Sequence, residues 1–389
     1  MNYLFEFGEY WDTGTFIMFL ILGFFVAFLA KKASKIKGRN LIGIDFQYKQ
    51  ENNKIGIIRF NPYYFSIFII LLFVFSFRDS SVGADTQGYI DAIRETKTIS
   101  FTLTVNGLLS SREPLFLIVS YLLQKITTNY TVYLFFWGII ISYAYTKYIK
   151  VFWNDKNAFV FLVMFVAEFH YGLNVLRTAI GAAFVLLSLC AYAEKKTKKS
   201  IILGICAVMF HYTAIVHMPL LILLHVIDNY EKIGKKKAII FLILGSALTM
   251  FIIPYALRYF VSTRYHKYVE TLGAGNVLGR WYVIITIAYS IILLFKKKNG
   301  TRDEKITIIT CAYNIILLLL NVFLGAYRVI NLYTMPRISL WSANFPQGKG
   351  KVNRFVYKIV VMSVVIVYLL FRMSRNSASP GFAYHFIWG

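Results

Sequence analysis

Residues 168–199 read EFHYGLNVLRTAIGAAFVLLSLCAYAEKKTKK. A polar cluster of Glu168, His170, Asn174 and Arg177 opens the stretch, an apolar run fills 174–193, and lysines close it at 195–199. An uncharged helix of about 20 residues rises about 30 Å, the depth of a bilayer's hydrocarbon core. Clustered lysines mark the cytoplasmic end of such a span. The same pattern recurs along the chain. Apolar runs lie at about 13–30, 60–77, 130–149, 158–173, 174–193, 238–257, 280–295, 306–323 and 355–371, and shorter or more interrupted ones at 114–126, 201–228 and 328–345. The fold class expected is therefore all-α: a polytopic integral membrane bundle of about 11–13 membrane segments, with residues 1–389 forming one lipid-embedded domain.

Composition supports this reading and removes others. With 58% hydrophobic and 15% charged residues and a mean hydropathy of +0.59, the chain is too apolar for a soluble domain, which carries roughly 25% charge. The net charge of +24 could suggest nucleic acid. Its placement in short loops between apolar runs argues instead for orientation in a membrane, and no nucleic-acid partner is expected. Cys190, Cys206 and Cys311 all lie inside apolar runs with no pairing pattern, so neither a disulfide framework nor a zinc site is expected. The acidic N-terminus lacks the basic segment of a signal peptide, so the first span is expected to be retained. No nucleotide-binding or hydrolase motif is present, and the sequence calls for no cofactor or metal.

Lysine-rich loops at 31–59, 147–156, 195–199, 232–237, 296–305 and 349–358 define the inner face. Both termini and the loops 78–113, 258–280 and 324–336 then lie outside. Two segments break simple alternation. Residues 114–126 reach only about 20 Å as a helix, too short to span, and are expected to form a re-entrant or tilted half-helix shielded by protein. Residues 201–228 lie between two inner lysine clusters. Two short helices meeting near His211–Pro219 satisfy that constraint, and one long tilted helix is the alternative.

Most lysines fall inside, whereas Arg78, Arg94, Arg112, Arg177, Arg258, Arg264, Arg280, Arg328, Arg372 and Arg375 fall outside. Orientation requires positive charge inside and gives no reason for outer arginines. A guanidinium matches phosphate oxygens bidentately, so the outer set points to an anionic ligand such as a diphosphate-linked lipid. Pairing with outer carboxylates and lipid headgroups is the plainer explanation.

Several outer segments carry further polar groups. FRDSSVGADTQGYIDAI (77–93) places Arg78, Asp85 and Tyr89 after the second span, with Gly83 and Gly88 as candidate turn residues. SSREPLF (110–116) sets Glu113 before Pro114, where a carboxylate suits a helix N-terminus. Asn174 and Arg177, three residues apart, share a helix face. MFHYTAIVHMP (209–219) places His211 in an apolar setting at the expected helix break. GAYRVINLYTMPR (325–337) adds Arg328 and Tyr333, and the 258–280 loop adds Arg264.

In order along the chain, these segments resemble the EpsG/Wzy family of bacterial polysaccharide polymerases. The family shows an Arg followed by V-G-x-D-x-x-x-Y, here Arg78, Val82, Gly83, Asp85 and Tyr89. A Glu then opens a hydrophobic segment, matching Glu113. Next comes N-x-x-R-Q, here Asn174 and Arg177 with Thr178 in place of Gln. F-H-x-S-A follows, here FHYTA with His211 and with Thr213 in place of Ser. A late R-x-x-x-Y element corresponds loosely to Arg328 and Tyr333. The resemblance implies a GT-C-like membrane glycosyltransferase in the bacterial cytoplasmic membrane. It would join undecaprenyl-diphosphate-linked repeat units, donor to acceptor, at the outer face. A flippase and a chain-length regulator would be its partners, besides membrane lipid. Expected roles are base for His211, with Asp85 and Glu113 as alternatives, and substrate binding for Arg78, Tyr89, Asn174, Arg177, Arg264, Arg328 and Tyr333. A lipid-linked oligosaccharide flippase, or another polyprenyl-sugar-dependent glycosyltransferase, is the competing reading.

Overall fold

The computed structural model describes residues 13–36, 42–48, 54–83, 85–95, 113–153, 172–173, 175–229, 301–324 and 332–336, with the single positions 339, 356, 359 and 363. They divide into two compact units. The first comprises Met1–Glu95, Thr127–Leu176 and Phe345–Gly389, and the second Thr96–Ile126 and Arg177–Asn344.

In the first unit, helix α1 (Thr13–Ser34) ends on Lys31 and Lys32, which suit the negative end of the helix dipole. A two-stranded antiparallel hairpin follows, β1 (Ile42–Tyr48) with β2 (Lys54–Phe60), in the register Ile42 opposite Phe60. This hairpin departs from the expected all-α class. The alternation of apolar and polar residues in IGIDFQY and KIGIIRF is the period of a strand, but it lies within a segment dominated by lysines. Helix α2 (Pro62–Ser76) starts on an Asn61 cap. The Asn61 Oδ1 accepts from the amides of Tyr63 and Tyr64 while Pro62 fills the first helical position. A short helix α3 (Thr86–Glu95) follows the exit loop.

Helix α5 (Tyr130–Phe152) lies along α2. Asn129 caps it, with Oδ1 2.8 Å from the Thr131 amide. A Cβ on Gly138 would come within 2.6 Å of Ser76 Oγ and 3.0 Å of Leu72, so the glycine allows the two helices to touch. Trp137, Ile141, Ala144, Ile67, Leu71 and Phe75 are buried at this contact, while Phe24, Phe25, Phe28, Phe73 and Phe135 face outward.

The second unit contains α4 (Pro114–Ile126), α6 (Leu176–Ala193), α7 (Thr197–Phe210), a 3-10 turn (Tyr212–Val216), α8 (His217–Asp228) and α9 (Arg302–Leu324). Lys195, with φ of 63°, reverses the chain between α6 and α7, and the Lys196 amide bonds the Ala191 carbonyl at 2.8 Å, closing the helix end. Reciprocal bonds then zip α6 to α7: Ser188 Oγ donates to the Ser200 carbonyl at 2.7 Å and Ser200 Oγ to the Ser188 carbonyl at 2.9 Å.

Helix α7 stops at His211, whose backbone is extended (φ −152°, ψ 109°). Helix α8 runs back along α7, where Gly204 faces Leu221, Met218 and His217. Of the two arrangements open for 201–228, the structure has the pair of short helices. Among the described residues, Ile17–Ser34 and Leu176–Ala193 are long and apolar enough to cross a membrane, by length and composition.

Candidate active site

Glu113 immediately precedes α4, where its carbonyl accepts the first bond of the helix from the Leu117 amide. Its carboxylate serves two other groups. Oε2 accepts from Arg177 Nη1 at 2.8 Å, and Oε1 faces His211 Nδ1 at 2.5 Å. The other ring nitrogen of His211, Nε2, lies 3.1 Å from Thr178 Oγ1. Three chain segments therefore meet through side chains: the start of α4, the start of α6 and the break after α7.

Each is placed by local sequence. Pro114 fixes the helix start behind Glu113. Arg177 and Thr178 sit in the first turn of α6. The helix break turns His211 inward, and Gly181 makes room for it, since a Cβ there would lie 2.8 Å from His211 Cβ.

The cluster is graded in exposure. The side chains of His211 and Glu113 are 2% and 8% exposed, whereas that of Arg177 is 41% exposed and lies 5.8 Å from the Phe116 ring. Burial alone pushes the Glu113 carboxyl up. The hydrogen bond and charge of His211, then those of Arg177, more than offset this and hold it below its ordinary value. An ionised carboxylate can only accept, so His211 carries its proton on Nδ1 and leaves Nε2 as a lone pair when neutral. The result is an oriented imidazole beside a guanidinium that reaches the surface of the unit.

A second polar cluster lies deeper. His217 is fully buried, its Nε2 2.9 Å from Ser188 Oγ and its Nδ1 3.4 Å from Tyr333 OH. Tyr313 packs edge-on against Tyr333 and donates to the Val216 carbonyl at 2.7 Å. A third cluster marks the far end of α6. Tyr192 OH and Arg302 Nη2 both meet Asp228 Oδ2, at 2.8 and 2.6 Å. These three residues adjoin the lysine-rich segments 195–199, 232–237 and 296–305. Arg177 lies 15 residues away along α6, about 22 Å at 1.5 Å per residue. The Glu113 cluster and the lysine-rich ends thus occupy opposite ends of one helix.

Not all expected residues join the Glu113 cluster. Tyr333 is buried against His217, apart from the Glu113 cluster. Arg78, Asp85 and Tyr89 belong to the first unit. Arg78 is fully buried, donating from Nη1 to the Phe75 carbonyl at 2.8 Å and stacking over the Phe75 ring at 4.5 Å. Asp85 and Tyr89 are half-buried at the start of α3. Gly83 has φ of +102°, and a Cβ would strike the Leu173 carbonyl at 2.4 Å, so this turn requires glycine. Gly88 lies inside α3 with open space around it and makes no turn. Asn174, Arg264 and Arg328 lie outside the described residues, as does Glu168.

Thr178 was legible only as a departure from the family pattern, and its bond to His211 had no sequence signal beyond its place next to Arg177. His217 and Ser188 were equally hidden, because polar residues inside an apolar run give no sign of which neighbour they meet.

Comparison with curated proteins and with solved structures returned no match. The family model described as the EpsG family matches residues 61–386, a stretch that includes Arg78, Asp85, Glu113, Arg177, Thr178 and His211. The chain belongs to the EpsG family.

Proposed function

We propose that this protein is a polysaccharide polymerase of the bacterial cytoplasmic membrane, transferring a glycan from a polyprenyl (undecaprenyl) diphosphate onto the next lipid-linked repeat unit at the outer face. The observation that carries the reading is the Glu113–His211–Arg177 constellation, set about 22 Å along α6 from the lysine-flanked Tyr192–Asp228–Arg302 cluster. Lysine-rich segments favour the inner side, which supports an outer location for the constellation at the other end of the helix. The bundle is multi-pass and GT-C-like, with both termini outside. The outward apolar faces of α1, α2 and α5 meet lipid, and Pro114–Ile126 enters the bilayer without crossing it.

The chemistry needs two services. An acceptor hydroxyl must lose its proton as its oxygen attacks the anomeric carbon. The bond from that carbon to the diphosphate then breaks, and the leaving group takes the electron pair. The Glu113–His211 pair accepts the proton, with Glu113 orienting the imidazole and stabilising the imidazolium. Arg177 meets the departing diphosphate, whose charge a guanidinium fork stabilises. Arg78, Asp85 and Tyr89, with Asn174, Arg264 and Arg328, are the further substrate-binding candidates. A flippase delivers the repeat unit and a chain-length regulator limits the product.

The test supplies the purified protein in nanodiscs with one lipid-diphosphate repeat unit of the native glycan and resolves products by gel. A ladder of lengthening polymer is expected. Translocation of that unit across vesicles without polymer would replace this reading with a flippase. Arg177→Lys keeps the charge and loses the fork, so full activity in that variant removes Arg177 from the diphosphate role.

A further inference from the structure

We propose that Thr178 is a positioning residue that sets the proton affinity of His211. The Thr178 side chain is buried, and its hydroxyl lies 3.1 Å from His211 Nε2, opposite the nitrogen held by Glu113. The imidazole is thereby gripped at both nitrogens, by a carboxylate on one edge and a hydroxyl on the other. The inference rests on the proposed role of His211 as proton acceptor, and it adds to that role a residue the proposed chemistry does not use.

The physical argument concerns which charge state the grip supports. A histidine that takes up a proton at Nε2 changes that atom from acceptor to donor. Most buried partners satisfy only one of the two states. A main-chain amide would hold the neutral ring and oppose the imidazolium, and a carbonyl would do the reverse. A hydroxyl rotates and does both: it donates to the bare nitrogen and accepts from the protonated one. Hydrogen bonds involving a charged partner are roughly twice as strong as neutral ones. Thr178 therefore favours the imidazolium over the neutral ring while leaving neither unpaired.

Among the described residues, the groups around His211 include the Glu113 carboxylate at the start of α4, Thr178 and the neighbouring Arg177 guanidinium on α6, and the Tyr212 ring, 5.4 Å away on its own segment. A carboxylate favours an imidazolium and a guanidinium opposes it, and Thr178 adds a hydrogen bond at the nitrogen opposite Glu113. Removing the hydroxyl while keeping the shape isolates the last contribution.

The experiment uses the full chain in detergent micelles or nanodiscs, labelled with 15N-histidine. His211 is identified among the six histidines by the resonance lost in His211→Gln. Thr178→Val preserves volume and removes the hydroxyl, and Thr178→Ser keeps the hydroxyl. Thr178→Ala serves in place of the valine variant should that one fail to fold. The expected result is a His211 titration moved to lower pH by about one unit in the valine variant, the scale of one lost charge-assisted hydrogen bond, with the serine variant close to wild type. The acidic limb of the polymerisation rate should move by the same amount. An unchanged His211 titration in Thr178→Val overturns the proposal. So does an equal shift in valine and serine variants, since that traces to packing and not to the hydroxyl. Because the titration needs no substrate, a chain that makes no polymer yet shows the valine shift would refute the polymerase reading and leave the Thr178 assignment standing.

Discussion

His211 and His217, both buried in the second unit, flank one short 3-10 turn yet occupy opposite chemical settings. His211 faces a carboxylate on one nitrogen and a hydroxyl on the other, within a cluster that reaches a half-exposed guanidinium. His217 faces the hydroxyls of Ser188 and Tyr333 and is sealed from solvent. Burial and helical context are common to both and do not distinguish the two settings. What separates them is whether a charged partner stabilises the protonated ring and whether the cluster opens outward.

The sharpest way to break this comparison is to neutralise one partner in each cluster. Glu113→Gln should lower polymer formation by about 10²–10⁴-fold, the usual contribution of a positioned acid–base group. His217→Gln should leave turnover per folded molecule unchanged while lowering stability by about 1–3 kcal/mol, the scale for a buried hydrogen bond left unmade. Rates measured against folded fraction decide between them. If His217→Gln abolishes turnover and Glu113→Gln does not, the assignment of the two histidines is reversed.

A smaller effect is expected from the glycines that make room for each ring. At Gly181 an added methyl would meet His211 Cβ at 2.8 Å, close to the backbone and with little freedom to yield. Gly181→Ala should therefore cost about 1–3 kcal/mol of stability and slow turnover with it. At Gly204 the nearest atoms are the Leu221 Cδ1 tip at 3.2 Å and the Met218 sulfur at 3.3 Å, both able to shift. Gly204→Ala should fall within about 1 kcal/mol of wild type, because the gain in helix propensity offsets the crowding. Thermal unfolding of the two variants side by side tests the pair.

The smallest effect is a pH dependence confined to the first cluster. The Glu113 carboxyl is held below its ordinary value, so it binds its proton less tightly folded than unfolded. Its contribution to stability is fully present above the unfolded value near 4.5 and is lost as pH falls through the lower, folded value. Midpoints of unfolding should decline below about pH 4.5 in the wild type and less so in Glu113→Gln.

Much of this arrangement was legible in the sequence. The lysine clusters and the length of the runs located α6 and left a pair of short helices as one of two arrangements for 201–228, because hydrophobic length and loop charge are local quantities. The proline after Glu113 located the start of α4 for the same reason. The bond from Arg177 to Glu113 was not legible, because it joins residues 64 positions apart. The hairpin at 42–60 was masked by its lysine-rich flanks, which answer the question of sidedness and leave strand periodicity unread. The contact of Tyr333 with His217 was hidden for a related reason, since an aromatic at the end of an apolar run can face headgroups or turn inward to a buried nitrogen, and spacing does not distinguish them.

One contact in the first unit bears on how the chain can be cut and rejoined. The Asn61 amide donates to the Ala33 carbonyl at 3.1 Å while its oxygen caps α2, so a single side chain staples the last turn of α1 to the first turn of α2. The two helix ends are held together by this side chain, and loop closure grows only slowly more expensive with length. A graft that swaps residues 37–58 for a short glycine–serine tether should keep both helices in register, and a reporter domain could be spliced at the same point.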